Sequence, residues 1–213
     1  MTTTSGVLLV ALGVAAVANW ISRSRPNGRM ETITKPLVTL LVIALAAVLR
    51  TSFPATRGWV LAGLVACLIG DVLLLPIIDN FVGGLGAFLI GHVLFGVAVL
   101  SRPHGHWVWA MLTVVPVALI VGRFGPPIVS GARTKAPALG IAVAAYLVVI
   151  ASMALMVALT GSQIAMVGAA LFVVSDTLLG FDLFSRSVSW ARVGIMITYH
   201  LALVGLTLGL VWQ

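Results

Sequence analysis

Long apolar blocks, separated by short segments rich in Arg, Pro, Gly or Asp, constrain this chain more than any other feature. A transmembrane helix requires roughly 20 consecutive apolar residues. Backbone N–H and C=O groups find no water in hydrocarbon, so blocks of this length must be helices, and unbroken apolar runs exclude a closed barrel. The sequence therefore predicts an all-α, polytopic transmembrane bundle of about eight spans. These spans are approximately 5–22, 35–51, 58–76, 81–100, 106–123, 137–160, 163–183 and 190–212.

The boundaries between spans follow charge and turn-forming residues. The clearest breaks are 23–34, 50–57, 101–105 and 122–136, whereas the short breaks at 77–80 and 160–163 predict tight antiparallel hairpins. The first block lacks the basic segment that precedes the core of a cleaved signal peptide, so we expect residues 6–21 to be retained as a span. One integral membrane domain, 1–213, then accounts for the whole chain.

Composition agrees with a membrane protein and excludes other classes. Hydrophobic residues make up 61% of the chain and charged residues only 8%, with a formal net charge of +7. The basic residues lie between apolar blocks and form no face interleaved with aromatics, so we expect no nucleic-acid partner. The single cysteine, Cys67, excludes an internal disulfide framework and is expected to be a small core residue.

Basic residues also orient the bundle, because Lys and Arg near span ends favour the cytoplasmic side. The assignment places both termini outside the cytoplasm, in a multi-pass protein of a bacterial-type plasma membrane. One side carries Arg23, Arg25, Arg29, Lys35, Arg123, Arg133, Lys135, Arg186 and Arg192, and the other carries Arg50, Arg57 and Arg102.

Five ionisable residues fall inside predicted spans, where each costs a few kcal/mol or more unless it is paired or hydrated. They are Lys35, Asp71, His92, Asp176 and His200, on five different helices that can face one polar cavity. The alternative interpretation is that they are buried polar links between helices, or that Lys35 snorkels to the interface. The two aspartates favour a functional site, because a carboxylate is costly in hydrocarbon and two occur in similar settings.

Those settings suggest an internal repeat. Gly70-Asp71-Val72-Leu73-Leu74 and Ser175-Asp176-Thr177-Leu178-Leu179 share the pattern small-Asp-x-Leu-Leu, and a histidine lies in the following span of each. The third and seventh spans also run in the same direction. The chain therefore fits a parallel four-helix pseudo-repeat in which the two aspartates meet across a pseudo-two-fold axis.

Together, five short blocks resemble the YhhN-like lysoplasmalogenases, a family of eight-span membrane proteins. The resemblance extends over roughly residues 30–205, and Asp182 stands where the family often has Asn. The blocks are Lys35-Pro36-Leu37, Ile69-Gly70-Asp71-Val72-Leu73-Leu74, Phe88-Leu89-Ile90-Gly91-His92, Phe172-Val173-Val174-Ser175-Asp176-Thr177-Leu178-Leu179 with Asp182 and Phe184, and Thr198-Tyr199-His200.

This resemblance implies a hydrolase that cleaves the vinyl ether bond of a lysoplasmalogen, a lysophospholipid, to a fatty aldehyde and glycerophosphoethanolamine or glycerophosphocholine. Such a reaction needs an acid for the alkene carbon and an anion for the oxocarbenium ion. We expect Asp71 and Asp176 to be this catalytic pair, with the choice of acid left open. The expected substrate-binding residues are Lys35 for the phosphate, His92, Tyr199 and His200 for water or for tuning the aspartates, and Asp182.

Other chemistries and functions remain open at this point. Two Asp and two His are suitable zinc ligands, but the chain has no compact motif such as His-Glu-x-x-His, and we expect no metal or other cofactor. Ser175 lacks a Gly-x-Ser-x-Gly context, so we expect it to pack between helices. A small proton-coupled transporter using the same aspartates is the rival function, although Lys35, Asp71 and Asp176 gather toward one side. Oligomeric state is not determined by the sequence.

Overall fold

The computed structural model of the protein describes residues 2–25 and 30–212, and in this part of the chain it contains eight α-helices and no strand. All eight are long and apolar enough to cross a membrane. The prediction of an all-α transmembrane bundle is confirmed. The helices are α1 (Thr3–Ser24), α2 (Glu31–Val48), α3 (Pro54–Leu73), α4 (Phe81–Leu100), α5 (Trp107–Lys135), α6 (Pro137–Ala158), α7 (Gln163–Phe184) and α8 (Ala191–Val211).

Local sequence explains where several helices begin. Pro54 and Pro137 occupy the first turns of α3 and α6, where a missing N–H leaves no intrahelical bond unmade. The side chains of Thr2, Asn80 and Ser162 each accept a hydrogen bond from a backbone N–H in the first turn of the helix that follows. Such caps satisfy N–H groups that have no partner inside the helix.

Small residues bring α7 and α8 into close contact. A Cβ added at Gly168 would lie 2.5 Å from the Leu206 backbone nitrogen, and one added at Gly209 would lie 2.2 Å from the Ala165 nitrogen. Helices in membranes associate through such close packing, because lipid supplies no hydrophobic force between them. These contacts hold the helix of Asp176 firmly against the helix of Tyr199 and His200.

Helix packing follows the predicted four-helix repeat at its centre. Within each half, consecutive helices pack as hairpins, and between halves α2 packs on α8 while α4 packs on α6. The second helix of one half thus contacts the fourth helix of the other in both cases. The outer helices differ, because α1 packs against α8 whereas α5 packs against α7. The hydrophobic core lies between α2, α3, α4, α6, α7 and α8, around Phe95, Phe172 and Leu203.

The predicted break at 122–136 is wrong. Helix α5 continues to Lys135 through Pro126 and Pro127, and only Ala136 separates it from α6. Membrane helices tolerate proline where neighbouring helices satisfy the freed backbone groups. A Cβ added at Gly131 would lie 1.7 Å from the Phe184 carbonyl oxygen, so this glycine serves close packing on α7 and does not mark a turn.

The long α5 also changes the position of Arg123. The topology prediction placed Arg123 at the end of a span, whereas it is an exposed residue inside α5. The predicted break at 23–34 is shorter than expected, because α1 reaches Ser24 and α2 begins at Glu31. Predicted spans two and three likewise start four residues late and end three residues late. Arg29, which was counted for topology, lies outside the described residues.

Candidate functional site

Asp71 lies near the end of α3 and is fully buried. Its Oδ2 accepts hydrogen bonds from Thr39 Oγ1 at 2.5 Å and from Tyr199 Oη at 2.9 Å, and its Oδ1 lies 3.7 Å from Lys35 Nζ. Lys35 and Thr39 are one turn apart on α2, so both face α3. The side chain of Lys35 is only 5% exposed. Asp71 is therefore a buried carboxylate with a counter-ion and two hydroxyl donors.

Asp176 has a different environment on α7. The Tyr146 hydroxyl donates a hydrogen bond to its Oδ2, and His92 Nε2 lies 3.6 Å from the same oxygen. His92 Nδ1 lies 2.6 Å from the Phe88 carbonyl oxygen. A carbonyl only accepts, so Nδ1 carries a proton and Nε2 of the neutral ring faces Asp176 as an acceptor. Asp176 thus has one firm donor, from Tyr146, and a ring nitrogen just beyond hydrogen-bond distance.

The chain has two tyrosines, and each donates to one of the two aspartates. Each aspartate is also contacted from the same two positions of the four-helix repeat. A residue of the second helix of its own half (Thr39 or Tyr146) and a residue of the fourth helix of the other half (Tyr199 or His92) reach it. The predicted pseudo-repeat therefore extends to the partners of the carboxylates.

The two carboxylates are joined by aromatic rings. Among the described residues they share no hydrogen bond. The His92 ring lies 4.4 Å from that of Phe172, and the Phe172 ring lies 5.5 Å from that of Tyr199, measured between centroids. A row of rings thus connects the partner of Asp176 to the partner of Asp71, and the two groups form one buried site with two ends.

A narrow, partly open pocket with a cavity volume of about 40 Å³ reaches Asp176. It extends from Phe81 and Phe184, at the ends of α4 and α7, to the carboxylate. Apart from Asp176 and Tyr146 its walls are apolar, and the Asp176 side chain is 10% exposed while that of Asp71 is 0% exposed. Asp176 is therefore the carboxylate that a molecule entering from the helix ends meets. The apolar lining comprises Leu74, Phe81, Leu85, Phe88, Ile128, Val143, Leu147, Leu179, Gly180, Leu183 and Phe184.

None of the five expected substrate-binding residues lines this pocket. His200 accepts a hydrogen bond from Trp20 Nε1 at 3.1 Å and lies between α1 and α8. Asp182 accepts from the Val188 backbone N–H at 2.7 Å and so closes the turn between α7 and α8. Lys35 pairs with Asp71 within the bundle, and this burial leaves no exposed ammonium for a lipid phosphate.

Ser175 and Cys67 lie in the environments expected from the sequence. Ser175 Oγ donates to the Ile195 carbonyl oxygen at 3.1 Å, as expected for a helix-packing residue. Cys67 is buried in the apolar core, also as expected. In the described part of the chain, no three His, Cys, Asp or Glu side chains are close enough together to hold a metal ion.

Sequence reasoning missed Thr39, Tyr146 and Phe172 as members of the site. One signal was available for Tyr146, because it is one of only two tyrosines and lies in the middle of a predicted span. Thr39 lies one turn after Lys35 and was also within reach of a helical-face argument. Nothing in the sequence pattern distinguishes Phe172 from the other apolar residues of its span.

Comparison with known proteins supplies the family. No curated protein and no solved structure matches the chain. The family model described as the YhhN family matches residues 30–210, which include both aspartates and all their partners. A match over most of the chain shows membership, and the protein therefore belongs to the YhhN family.

Proposed function

We propose that this protein hydrolyses the vinyl ether bond of lysoplasmalogens, with Asp176 as the general acid. The observation that carries the proposal is the position of Asp176, a hydrogen-bonded carboxyl at the inner end of an otherwise apolar pocket. Family membership is consistent with this activity, as lysoplasmalogenase activity is what the resemblance to YhhN-like proteins implies.

The apolar lining of the pocket suits the hydrocarbon chain of a lipid. Asp176 lies eight residues before the end of α7, about 12 Å along the helix axis. A lysophospholipid whose head group stays at the interface can bring the start of its chain to that depth. The apolar walls exclude water from the alkene until it is protonated, and a dry site strengthens the electrostatic interaction between the acid and the developing cation.

The chemistry begins with proton transfer from Asp176 to the alkene carbon that is further from the ether oxygen. This step gives an oxocarbenium ion and leaves the Asp176 carboxylate beside it. Water adds to the cationic carbon and returns a proton to the carboxylate. The hemiacetal then breaks its bond to glycerol, releasing the aldehyde and the glycerophospho-alcohol. One water is consumed and the acid is regenerated.

The two aspartates divide this work by their environments. Lys35, Thr39 and Tyr199 offer Asp71 the counter-charge and donors that an ionised carboxylate needs. Asp176 has no lysine or arginine partner among the described residues, and the Tyr146 hydroxyl fixes its orientation. We therefore assign Asp71 as the permanent anion that stabilises the cation and Asp176 as the acid, the same division that paired carboxylates use around a glycosidic cation.

The test is aldehyde release from a purified preparation, measured by mass spectrometry with ethanolamine and choline head groups and with and without a chelator. An ester-linked lysophospholipid and a saturated ether analogue are the substrate controls. In D₂O, the proposed proton transfer puts one deuterium on the carbon next to the aldehyde carbonyl. Asp176→Asn and Asp71→Asn should each lower turnover by about 10²-fold or more.

The matched control is Asp79→Asn. Asp79 is an exposed loop carboxylate with a φ of 48°, a conformation that Asn also tolerates, so this variant should keep full activity. Cleavage of the saturated ether at the same rate, or full turnover in both site variants, contradicts the proposed mechanism. A lack of aldehyde from every head group contradicts the proposed reaction and favours another lipid or transport.

A further inference from the structure

A second group of buried polar side chains lies between α1, α2 and α8, beside the pair formed by Lys35 and Asp71. Asn19 is 0% exposed and His200 is 1% exposed, and Ser22, Glu31 and Thr34 are also buried. We call these five residues the α1–α2–α8 seam. The mechanism proposed above uses none of them.

Hydrogen bonds within the seam leave polar atoms without partners. Asn19 Nδ2 donates to Thr34 Oγ1 at 3.0 Å, and Thr34 Oγ1 donates to the Met30 carbonyl oxygen at 2.7 Å. Asn19 Oδ1 and Ser22 Oγ are buried and have no hydrogen-bond partner among the described residues. An unpaired buried polar group costs about 1–3 kcal/mol.

His200 adds a donor to these acceptors. Its Nδ1 accepts from Trp20, so the neutral ring carries its proton on Nε2. Nε2 is buried and unpartnered in the described part of the chain. Asp71 Oδ1 is also buried and has no hydrogen-bond partner among the described residues, and Lys35 Nζ lies 3.7 Å from it. The seam and its neighbour Asp71 thus present one N–H donor, one hydroxyl and two oxygen acceptors, a combination that water satisfies.

The seam forms a polar row toward the helix ends. Glu31 lies one turn before Lys35 on α2, and Arg23 lies one turn after Asn19 on α1. Arg23 Nη1 and Glu31 Oε2 are 2.5 Å apart, and the Arg23 side chain is 20% exposed. Polar groups therefore continue from the ends of α1 and α2 to Asp71, in contrast to the apolar walls of the pocket that reaches Asp176.

We propose that the seam binds ordered water and supplies it to the site from the Asp71 end. Buried waters typically make about three hydrogen bonds to otherwise unsatisfied polar groups. The supply role rests on the proposed function, because hydrolysis consumes a water that an apolar lipid pocket does not hold. Lipid and water then approach the aromatic row from different sides. The binding of water itself is independent of the reaction.

Radiolytic hydroxyl labelling of the protein in nanodiscs, in H₂¹⁸O, tests water binding directly. Bound water generates radicals in place, so a buried side chain beside it is oxidised whereas a buried side chain in a dry core is not. After correction for intrinsic reactivity, His200 should be labelled several-fold faster than Phe95, which is fully buried in the apolar core. Labelling of His200 no faster than Phe95 overturns the proposal.

The variant Asn19→Leu with Ser22→Ala tests the supply role, and Ser22→Ala alone serves if the double variant does not fold. Thr34 keeps its bond to Met30 in both. We expect slower labelling of His200 and a several-fold lower kcat with KM for the lipid unchanged. Thr207→Val is the matched control, because Thr207 Oγ1 is also buried and unpartnered among the described residues but lies two turns further along α8.

The outcomes separate this proposal from the proposed function. If no lysolipid is hydrolysed, the reaction is refuted while labelling of His200 still decides whether the seam holds water. If labelling falls in the double variant and kcat does not, the seam binds water but does not supply it. A fall in kcat of the same size in Thr207→Val also contradicts the supply role, because the loss of a buried hydroxyl outside the seam would then lower kcat equally.

Discussion

At the scale of single residues, the two aspartates of the site could be predicted from the sequence because burying a charge is energetically costly. Asp71 and Asp176 stand out because an ionisable group in a span requires a reason. Their partners do not, since Thr39 and Tyr146 are ordinary residues of apolar helices until packing brings them to a carboxylate. Lys35 was predicted to bind a lipid phosphate because its packing partners are likewise not visible in the sequence. A lysine near a predicted span end suggests the interface, and only the start of α2 at Glu31 reveals that it lies inside the helix.

The pair of Lys35 and Asp71 makes a prediction about stability. Lys35→Met leaves a fully buried carboxylate without its cation and should destabilise the fold by about 3–5 kcal/mol. Lys35→Met with Asp71→Asn removes both charges and should recover most of this loss. The measurement is the unfolding midpoint in one detergent. Arg192→Met, at an exposed basic residue, should change this midpoint little. Equal destabilisation by the single and double variants would show that the two groups do not interact.

At the scale of helices, the presence of each helix could be predicted, whereas the positions of several helix ends could not. Length and hydropathy identify eight spans, because the bilayer sets both. Gly and Pro have two meanings, however. In α5 they indicated a loop but in fact allow a helix to lie against α7 at Gly131. One sequence does not show whether a glycine marks a turn or a close helix contact, because the helix that it contacts is distant in the sequence.

The glycine contact between α7 and α8 gives a prediction at this scale. Gly168→Val places a side chain where a Cβ alone would lie 2.5 Å from the Leu206 nitrogen, so the helices must separate. We expect a loss of about 1–3 kcal/mol, measured as an unfolding midpoint. Gly13→Val in α1 carries the same change in helix propensity, but nothing lies within 4 Å of its added Cβ. Equal losses in the two variants would attribute the effect to propensity and not to packing.

At the scale of the whole molecule, a pattern of five residues predicted more than its length suggested. The repeat of small-Asp-x-Leu-Leu reappears as a repeat of contacts, because α2 meets α8 as α6 meets α4. The ends of the site nevertheless differ. One aspartate has a lysine and a polar seam, and the other has a tyrosine and an apolar pocket. A duplicated scaffold can thus hold two carboxyls in related positions and use them differently.

The basic residues predict how the molecule is oriented in the membrane. Both termini should lie outside the cytoplasm, because Arg23, Arg25, Arg133, Lys135 and Arg186 remain near helix ends on one side. That side also holds the mouth of the pocket, beside Phe184. The turn between α7 and α8 should then face the cytoplasm, and the turn between α4 and α5 should face outward.

Single cysteines in those turns test the assignment, since Cys67 is buried and gives a low background. His104→Cys and Ser187→Cys place exposed thiols on opposite sides. A membrane-impermeant maleimide should label His104→Cys in intact cells and Ser187→Cys only after lysis. The reverse pattern would open the pocket to the outer leaflet. Substrate would then arrive from outside the cell, and the basic residues around the mouth would require an explanation other than topology, such as attraction of lipid phosphates.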